Sequence, residues 1–272
     1  MALTRAQFAQ ATAAEERQLR MAHLQRLSYR ELTELFSGDP AQAAAWIRSA
    51  AEYGMAAAQL RLGRMLLEGT GVAKDTAAAF SWFERAAAQG DAEAMNMAGR
   101  CLENGWGTAA DPAKAAAQFE ASARRGHAWG KYNFANMLFD GRGAPRDRVR
   151  ALKWYRRAAR QGHGRAMNLL GRSLEEGWGC ARDPAAAALW YQHSAATGYF
   201  RGQYNYAAVL AQHGHAAAAA AWYLRAAEGG DQSIRRAILK ALGNVTDPVL
   251  CDARARVAAL CLEVTANRQR PG

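Results

Sequence analysis

The chain has 272 residues, and half of them are hydrophobic, which is ample for a packed core. Its formal net charge is +11, so anionic partners have to be considered. The mean hydropathy is negative, and no run approaches the roughly 18 consecutive apolar residues of a membrane-spanning helix. We therefore expect no such helix in this sequence.

The first 38 residues are polar-rich and are predicted to be helical. Ser28 and Glu31 have the spacing of a capping box, which favours two helices with a break near Ser28. Several leucines and Phe36 can cover the open end of a helical array, so we predict an N-terminal cap over residues 1–38. The first residues lack the basic, apolar and small-residue order of a secretory signal, so we expect a cytoplasmic protein.

A single sequence pattern then recurs every 36 residues. Each copy has a leucine-glycine step, a Gly-x-Gly loop, an aspartate, a tryptophan and a closing glycine. Residues 39–54 hold only the second half of the pattern, and five copies follow, the last of them 32 residues long. The closing glycines are Gly90, Gly126, Gly162, Gly198 and Gly230. A fixed period of this length is typical of a stacked repeat array, here over residues 39–230.

Each copy is predicted to fold as a helical hairpin. In the first copy, Leu62 and Leu66 lie on one face of a helix, and the loop glycines then break that helix. Asp75 has the position of an N-cap for the second helix. Trp82 is expected to fill the space between the two helices. Gly90 is expected to end the hairpin in the left-handed conformation.

Residues 231–272 are predicted to form a C-terminal helical cap. One more helix of the first type is expected over residues 231–243. A last helix follows Asp247, and its apolar residues, among them Val257 and Leu262, replace the usual tryptophan and alanines. A terminal repeat that departs from the pattern in this way is expected to close one end of the array.

The spaced pattern A-x-x-x-L-G, G-x-G, D, A-x-x-W and A-A-x-x-G resembles the Sel1-like repeat, a relative of the tetratricopeptide repeat, over about residues 39–231. The resemblance implies an all-α fold, a right-handed α-solenoid of helical hairpins, and usually a role as adaptor or scaffold. The sequence departs from the family in three ways. The family's tyrosine three residues after the glycine is leucine throughout, Gln118 replaces one tryptophan, and the last copy lacks the Gly-x-Gly loop.

The search for catalytic and metal-binding motifs is negative. There is no phosphate-binding glycine loop, no G-x-S-x-G and no H-E-x-x-H. His127 and His163 share one repeat position at a helix start, where capping is the expected role. His213 and His215 flank Gly214, but two histidines without a third ligand are a weak metal signal. We therefore expect no metal, no cofactor and no enzymatic activity.

The four cysteines favour a reducing compartment. Cys101 and Cys180 occupy unrelated repeat positions, and Cys251 and Cys261 lie ten residues apart in one predicted helix. The resemblance also suggests an alternative function, because some members of the disulfide-rich branch of the family have been associated with β-lactam binding and hydrolysis. That branch pairs two cysteines within each repeat, a pattern that this sequence lacks, so a weak hydrolase is the runner-up.

Positive charge is concentrated in the third hairpin. The segment from Asp140 to Arg172 contains ten Arg and Lys against two Asp. Five of these cations are spaced 4, 3, 4 and 3 residues apart and so share one face of a helix. They are Arg146, Arg150, Lys153, Arg157 and Arg160. Two interpretations stay open: a basic patch that docks an acidic protein, lipid headgroups or, least expected, nucleic acid, or a solvated face.

A second candidate surface is the side of each first helix opposite its apolar stripe. Counted from the glycine of the leucine-glycine step, positions −6, −3, +1 and +5 lie on this side, and the resemblance assigns them to a concave groove. These residues are Arg64, Arg100, Asn136 and Arg172 at +1, Asn96, Tyr132, Asn168 and Tyr204 at −3, and Trp129, Arg165 and Arg201 at −6. Such side chains suit an extended acidic peptide or a terminal carboxylate, because guanidinium groups bind carboxylates bidentately and aromatic rings supply rigid contact area.

Two alternatives concern this surface. Glu68 lies four residues after Arg64, and Glu176 lies four residues after Arg172, so these arginines can pair within their own helices. Two tryptophans occupy the middle of Gly-Trp-Gly loops and are either exposed contact residues or packed on a neighbouring loop. They are Trp106 and Trp178.

The predicted function is a non-enzymatic scaffold or adaptor that binds a protein or peptide partner in the groove. The partner is expected to be acidic or extended, and we do not expect nucleic acid. The alternatives are the weak hydrolase described above and a regulator held on an anionic surface by the basic third hairpin. A monomer is favoured.

Overall fold

The computed structural model describes residues 39–268 together with Gln18, Arg20 and Ala22. Apart from these three residues, the predicted N-terminal cap lies outside the described residues. The described part is helical and contains no strand. Its helices are α1 (Pro40–Glu52), α2 (Ala56–Glu68), α3 (Thr76–Ala88), α4 (Ala92–Asn104), α5 (Pro112–Arg124), α6 (Ala128–Asp140), α7 (Arg148–Ala159), α8 (Gly164–Glu176), α9 (Pro184–Ala196), α10 (Phe200–Gln212), α11 (Ala216–Gly229), α12 (Gln232–Ala241) and α13 (Pro248–Arg268).

The chain divides into two compact units. Unit 1 comprises residues 1–130 and 142–145, and unit 2 comprises residues 131–141 and 146–272. In unit 1, α2 packs on α3 and α4 packs on α5. In unit 2, α8 packs on α9 and α10 packs on α11. In these four pairs, consecutive helices pack on each other as in a helical hairpin. None of the described helices is long and apolar enough to span a membrane.

The second helix of each full hairpin begins at the predicted aspartate. Asp75 accepts a hydrogen bond from the backbone N–H of Ala78 at 2.9 Å, and this side-chain cap satisfies an N–H group that the helix itself leaves unpaired. The equivalent caps are Asp111, Asp147 and Asp183. In two of these helices a proline follows the cap in the first turn, where its missing N–H costs nothing.

The aromatic residue at the centre of each hairpin is not the predicted tryptophan. It is the next residue in the chain, a phenylalanine or tyrosine that is at most 2% exposed. These residues are Phe83, Phe119, Tyr155, Tyr191 and Tyr223. The predicted role of the tryptophan is therefore wrong. Trp82, Trp154 and Trp222 are half-buried, and each lies 4.5–4.7 Å from the guanidinium of the arginine three residues later.

The glycine of the leucine-glycine step makes room for this buried ring. A Cβ atom on Gly63 would lie 2.6 Å from the ring of Phe83, and one on Gly99 would lie 2.7 Å from the ring of Phe119. Both distances are shorter than carbon atoms in contact allow. The glycine thus lets the first helix approach the aromatic residue of the second helix. Its presence in the pattern reflects packing in the core.

The Gly-x-Gly loop brings neighbouring repeats together. Gly105 and Gly107 both have a φ of +72°, in the left-handed region that side chains disfavour. A Cβ atom on Gly107 would also overlap the carbonyl oxygen of Thr76, in the first turn of α3. The same close approach joins Gly71 to Pro40 in unit 1 and Gly179 to Arg148 in unit 2.

The C-terminal helices close the core of unit 2. Ile234 and Ile238 of α12 and Val257 of α13 are buried in one cluster with residues of α11, which agrees with the predicted packing role of Val257. Leu262 is 71% exposed, so its predicted packing role is wrong. Gly230 has a φ of −104°, in contrast to the left-handed closing glycines, of which Gly90 is one.

Candidate partner-binding face

The side of α2 opposite its core stripe carries a shallow cavity of about 330 Å³ in unit 1. Its lining includes Ala57, Leu60, Arg64 and Glu68. These are the residues at −6, −3, +1 and +5 from Gly63, so the cavity lies on the face that the sequence indicated. We call this side of a first helix, defined by positions −6, −3 and +1, the first-helix face.

The arginines at +1 do not form the ion pairs within their own helices that the alternative interpretation predicted. Arg64 forms an ion pair with Glu93 of the following hairpin and not with Glu68. Arg100 lies 5.2 Å above the ring of Trp106, and Arg172 lies 5.1 Å above the ring of Trp178.

The two loop tryptophans are half-buried and packed. Trp106 packs against the buried core of unit 1. Trp178 meets Phe139 edge to face at 5.4 Å and has Arg148 above it at 5.7 Å. Of the two alternatives for these tryptophans, exposed or packed, the structure shows packed rings. Each ring also lies under one arginine at position +1, so the Gly-Trp-Gly loops border the first-helix face.

Position −3 is more enclosed than predicted. Asn96 and Asn168 are 5% and 4% exposed, so the expectation that they line an open groove is wrong. The amide oxygen of Asn168 accepts a hydrogen bond from Asn205 at 2.7 Å, which ties α8 to α10. In unit 2 this position therefore contacts the next first helix, a contact that a single helical projection does not show.

Three further residues of the predicted groove also make internal contacts in unit 2. Asn136 accepts a hydrogen bond from the hydroxyl of Tyr155 at 2.6 Å. Tyr132 stacks on His163 with ring centroids 4.7 Å apart. Tyr204 lies 5.8 Å from Tyr223. Tyr132, Asn136 and Tyr204 remain half-buried, so part of each side chain still faces solvent.

The residues at −6 are exposed. Trp129 is 44% exposed in unit 1, and Arg165 and Arg201 are exposed in unit 2. The guanidinium of Arg165 lies 5.7 Å from the ring of Tyr199, and that of Arg201 lies 5.7 Å from the ring of Phe200. Aromatic rings at the start of α10 thus flank both arginines.

The Tyr199 hydroxyl is under the electrostatic influence of three arginines of unit 2. Burial raises the pKa of its hydroxyl, and the cations that oppose this rise are the guanidinium groups of Arg201, Arg165 and Arg172. All three arginines are exposed. We call Arg165, Arg172 and Arg201 the arginine cluster. The pKa of the Asp231 carboxyl is lowered, first by its hydrogen bond with Ser233 and to a smaller extent by the positive charge of Arg201.

The sequence reasoning missed Tyr199, but the repeat contains a signal for it. Tyr199 occupies the position after the closing glycine, where Asp91 accepts a hydrogen bond from the backbone N–H of Ala94. His163 accepts from Ala166 in the same way, which confirms its predicted capping role. Tyr199 makes no side-chain cap. A tyrosine in a capping column could have been singled out.

The five predicted basic-patch residues lie along and just beyond α7, and all are exposed. We call Arg146, Arg150, Lys153, Arg157 and Arg160 the α7 ridge. Asp147 caps α7 and lies 3.9 Å from Arg150. The pKa of Lys131 is lowered, first by burial and then by Arg157. In the described part of the chain, no three His, Cys, Asp or Glu residues converge in a way that could hold a metal ion.

Comparison with known families gives a clear match. The Sel1 repeat model matches residues 19–54, 56–91, 92–127, 130–163, 164–199 and 201–231. Five matches coincide closely with the predicted hairpins. The first match begins at residue 19 and covers a full repeat, where we expected the end of a cap and a half repeat. No curated protein matches the chain.

Solved structures share the fold. A Sel1 repeat protein from Oxalobacter formigenes is 25% identical, with a TM-score of 0.74 over 85% of this chain and 95% of that one. The protein c5321 of uropathogenic Escherichia coli, described as a protective antigen with an SLR fold, is 27% identical, with a TM-score of 0.69 over 85% of this chain. The match spans only 52% of the c5321 chain.

A more distant similarity is to the immunity protein PA5088 from Pseudomonas aeruginosa. It is 19% identical, with a TM-score of 0.54 over 79% of this chain and 83% of that one, and it supports the fold alone. The predicted all-α repeat fold is confirmed by the helices and by these neighbours. The chain belongs to the Sel1 repeat family.

Proposed function

We propose that this protein is a non-enzymatic scaffold and that a protein or peptide partner binds the arginine cluster on the first-helix face of unit 2. Sel1 repeat proteins typically serve as interaction scaffolds, which supports the general class. The observation that carries the specific proposal is that three exposed arginines each lie over an aromatic ring, two of these rings being the consecutive residues Tyr199 and Phe200. Three exposed cations beside half-buried aromatic rings form a site for an anionic group.

The chemistry of the site favours a carboxylate. A guanidinium offers two parallel N–H donors that match the two oxygens of a carboxylate. Each arginine of the cluster lies over one aromatic ring: Arg165 over Tyr199, Arg201 over Phe200 and Arg172 over Trp178. These contacts restrict the arginine rotamers, so less rotamer freedom is lost when a ligand binds. The proposed partner segment is therefore extended and acidic, or ends in a free carboxylate. Asn168 is buried, so in this proposal it does not contact the partner directly.

Unit 1 has a lesser version of the same face. Arg100 is half-buried above Trp106, Trp129 is exposed, and Arg64 already has Glu93 as a partner. An exposed ion pair contributes only about 0.2–1 kcal/mol, so a ligand carboxylate can compete for Arg64. We propose that unit 1 carries a weaker anion-binding site of its own, with the arginine cluster of unit 2 as the stronger site.

Changing Arg165 and Arg201 to glutamate together is expected to weaken partner binding at least about tenfold, or about 1.4 kcal/mol. The reversed charges would repel the acidic segment, while both side chains are exposed, so folding should be unaffected. The protein captured by the immobilised chain from its native lysate is identified by mass spectrometry and then titrated calorimetrically against both forms.

A matched control reverses two exposed cations elsewhere in unit 2, Arg236 and Lys240 of α12. This variant has the same net charge as the double arginine variant and should keep the affinity of the wild type. Equal affinity in the wild type and the Arg165→Glu, Arg201→Glu variant would contradict the proposed site. Thermal unfolding of each variant shows whether a loss of binding comes from a loss of structure.

We propose a reducing, cytoplasmic environment for the protein. Cys101 is buried, and burial raises the pKa of its thiol to about 11, which keeps it protonated and unreactive. The thiols of Cys180 and Cys251 donate to backbone carbonyls at 3.5 Å and 3.3 Å, and neither is in a disulfide. The hairpins are thus held together by packing and helix caps.

A further inference from the structure

The α7 ridge is a set of exposed cations on a second helix and just beyond its ends. Arg150, Lys153 and Arg157 share one face of α7, because their spacing follows the helical period. Arg146 and Arg160 lie just beyond its two ends, and Arg146 also donates a hydrogen bond to the carbonyl of Phe139. The helix has 12 residues and is about 18 Å long. Helix α7 itself contains no acidic residue, and Asp147, just before it, is engaged as its N-cap.

The second helix of the next hairpin, α9, belongs to the same unit. Helix α9 contains no acidic residue, and Leu189, at the repeat position of Lys153, is 58% exposed. Val149, beside the ridge on α7, is 54% exposed. Ala185 and Ala196 are also exposed. The surface therefore combines a row of cations with two exposed aliphatic side chains and no competing negative charge on either helix.

We propose that the α7 ridge docks this protein on the surface of an anionic lipid bilayer. A plane of headgroups can neutralise all five cations at once, whereas a peptide would need acids at matching intervals. Lys and Arg clusters of this size on a helix are typical of binding to anionic lipids. Leu189 and Val149 can enter the headgroup layer, where apolar side chains gain contact. This surface differs from the first-helix face, so the proposal goes beyond the scaffold function.

Each basic residue near an anionic membrane strengthens binding by roughly fivefold. Changing Arg150, Lys153 and Arg157 together to glutamine is therefore expected to lower the vesicle partition coefficient by about 100-fold. Glutamine is a good helix former, and all three positions are exposed, so the variant should fold. The probe is a vesicle of phosphatidylcholine with phosphatidylglycerol, with pure phosphatidylcholine as reference, and binding is measured by co-sedimentation.

The control must separate the ridge from the net charge of +11, because any basic protein is attracted to an anionic surface. Changing three exposed cations away from the ridge to glutamine gives a variant with the same net charge. These cations are Lys74, Arg236 and Lys240. The control variant should keep most of the vesicle binding. For the wild type, binding should fall steeply between 0.1 M and 1 M salt, as the screening length drops from about 10 Å to about 3 Å.

Equal losses in the two triple variants would overturn the proposal, since binding would then follow net charge alone. No binding of the wild type to anionic vesicles at low salt would overturn it as well. Binding to polyglutamate or to duplex DNA that is lost only in the ridge variant, without vesicle binding, would assign the ridge to an acidic protein or to nucleic acid. These measurements are independent of the Arg165→Glu, Arg201→Glu titration.

Discussion

Replacing Phe119 with alanine is expected to lower the free energy of unfolding by about 3–5 kcal/mol, the usual cost of truncating a fully buried aromatic residue. The ring is fully enclosed at 0% exposure and sits against Gly99. Its removal would leave a cavity between α4 and α5. Chemical denaturation followed by circular dichroism measures the change.

The neighbouring residue gives the matched control. Gln118 is half-buried and occupies the tryptophan position, so Gln118→Ala should cost less than about 1 kcal/mol. The same contrast should appear in unit 2, where Tyr155 is 1% exposed and Trp154 is half-buried. If Trp154→Ala destabilised the protein more than Tyr155→Ala, the tryptophan would be the central core residue, contrary to the packing described above.

Replacing Gly107 with alanine is expected to destabilise the protein by about 2–5 kcal/mol, because two costs add. The residue has a φ of +72°, which costs a side chain about 1–2 kcal/mol. A Cβ atom would also overlap the backbone of Thr76, so the repeats would have to move apart. Overpacking of this kind typically costs a further 1–3 kcal/mol.

Gly105 separates these two costs. It has the same φ of +72°, but the nearest atom to an added Cβ is the oxygen of Thr108 at 3.6 Å, an ordinary contact distance. Gly105→Ala should therefore show the backbone cost of about 1–2 kcal/mol alone. Equal destabilisation by the two variants in a denaturation experiment would rule out a tight inter-repeat contact at Gly107.

The hairpins could be predicted from the sequence because their signals are local and recur. The capping aspartates and the loop glycines act within a few residues of chain, and each repeat gives an independent observation. The choice between Trp82 and Phe83 was harder, because both are apolar and adjacent on the helix. What decides it is Gly63 on the facing helix, whose missing Cβ leaves space for one ring only. A contact between two helices therefore decides which of the two aromatic residues enters the core.

The candidate face was only partly predictable for the same reason. A helical projection separates the core stripe from the opposite side of one helix, and it placed Arg165 and Arg201 at exposed positions correctly. It ignores the next first helix, which covers Asn168 and hydrogen-bonds it. The stacking of Arg172 on Trp178 depends on a loop conformation. The role of Tyr199 appears only when residues from two helices are seen together.

The most direct test of the proposed function asks which surface the captured partner touches. A photoreactive amino acid is placed at Arg201 on the first-helix face, or at Gln192, which is exposed on α9 in the same unit. We expect crosslinking to the partner from position 201 and little from position 192. Crosslinking from position 192 alone, or equal yields from both positions, would contradict binding at the arginine cluster.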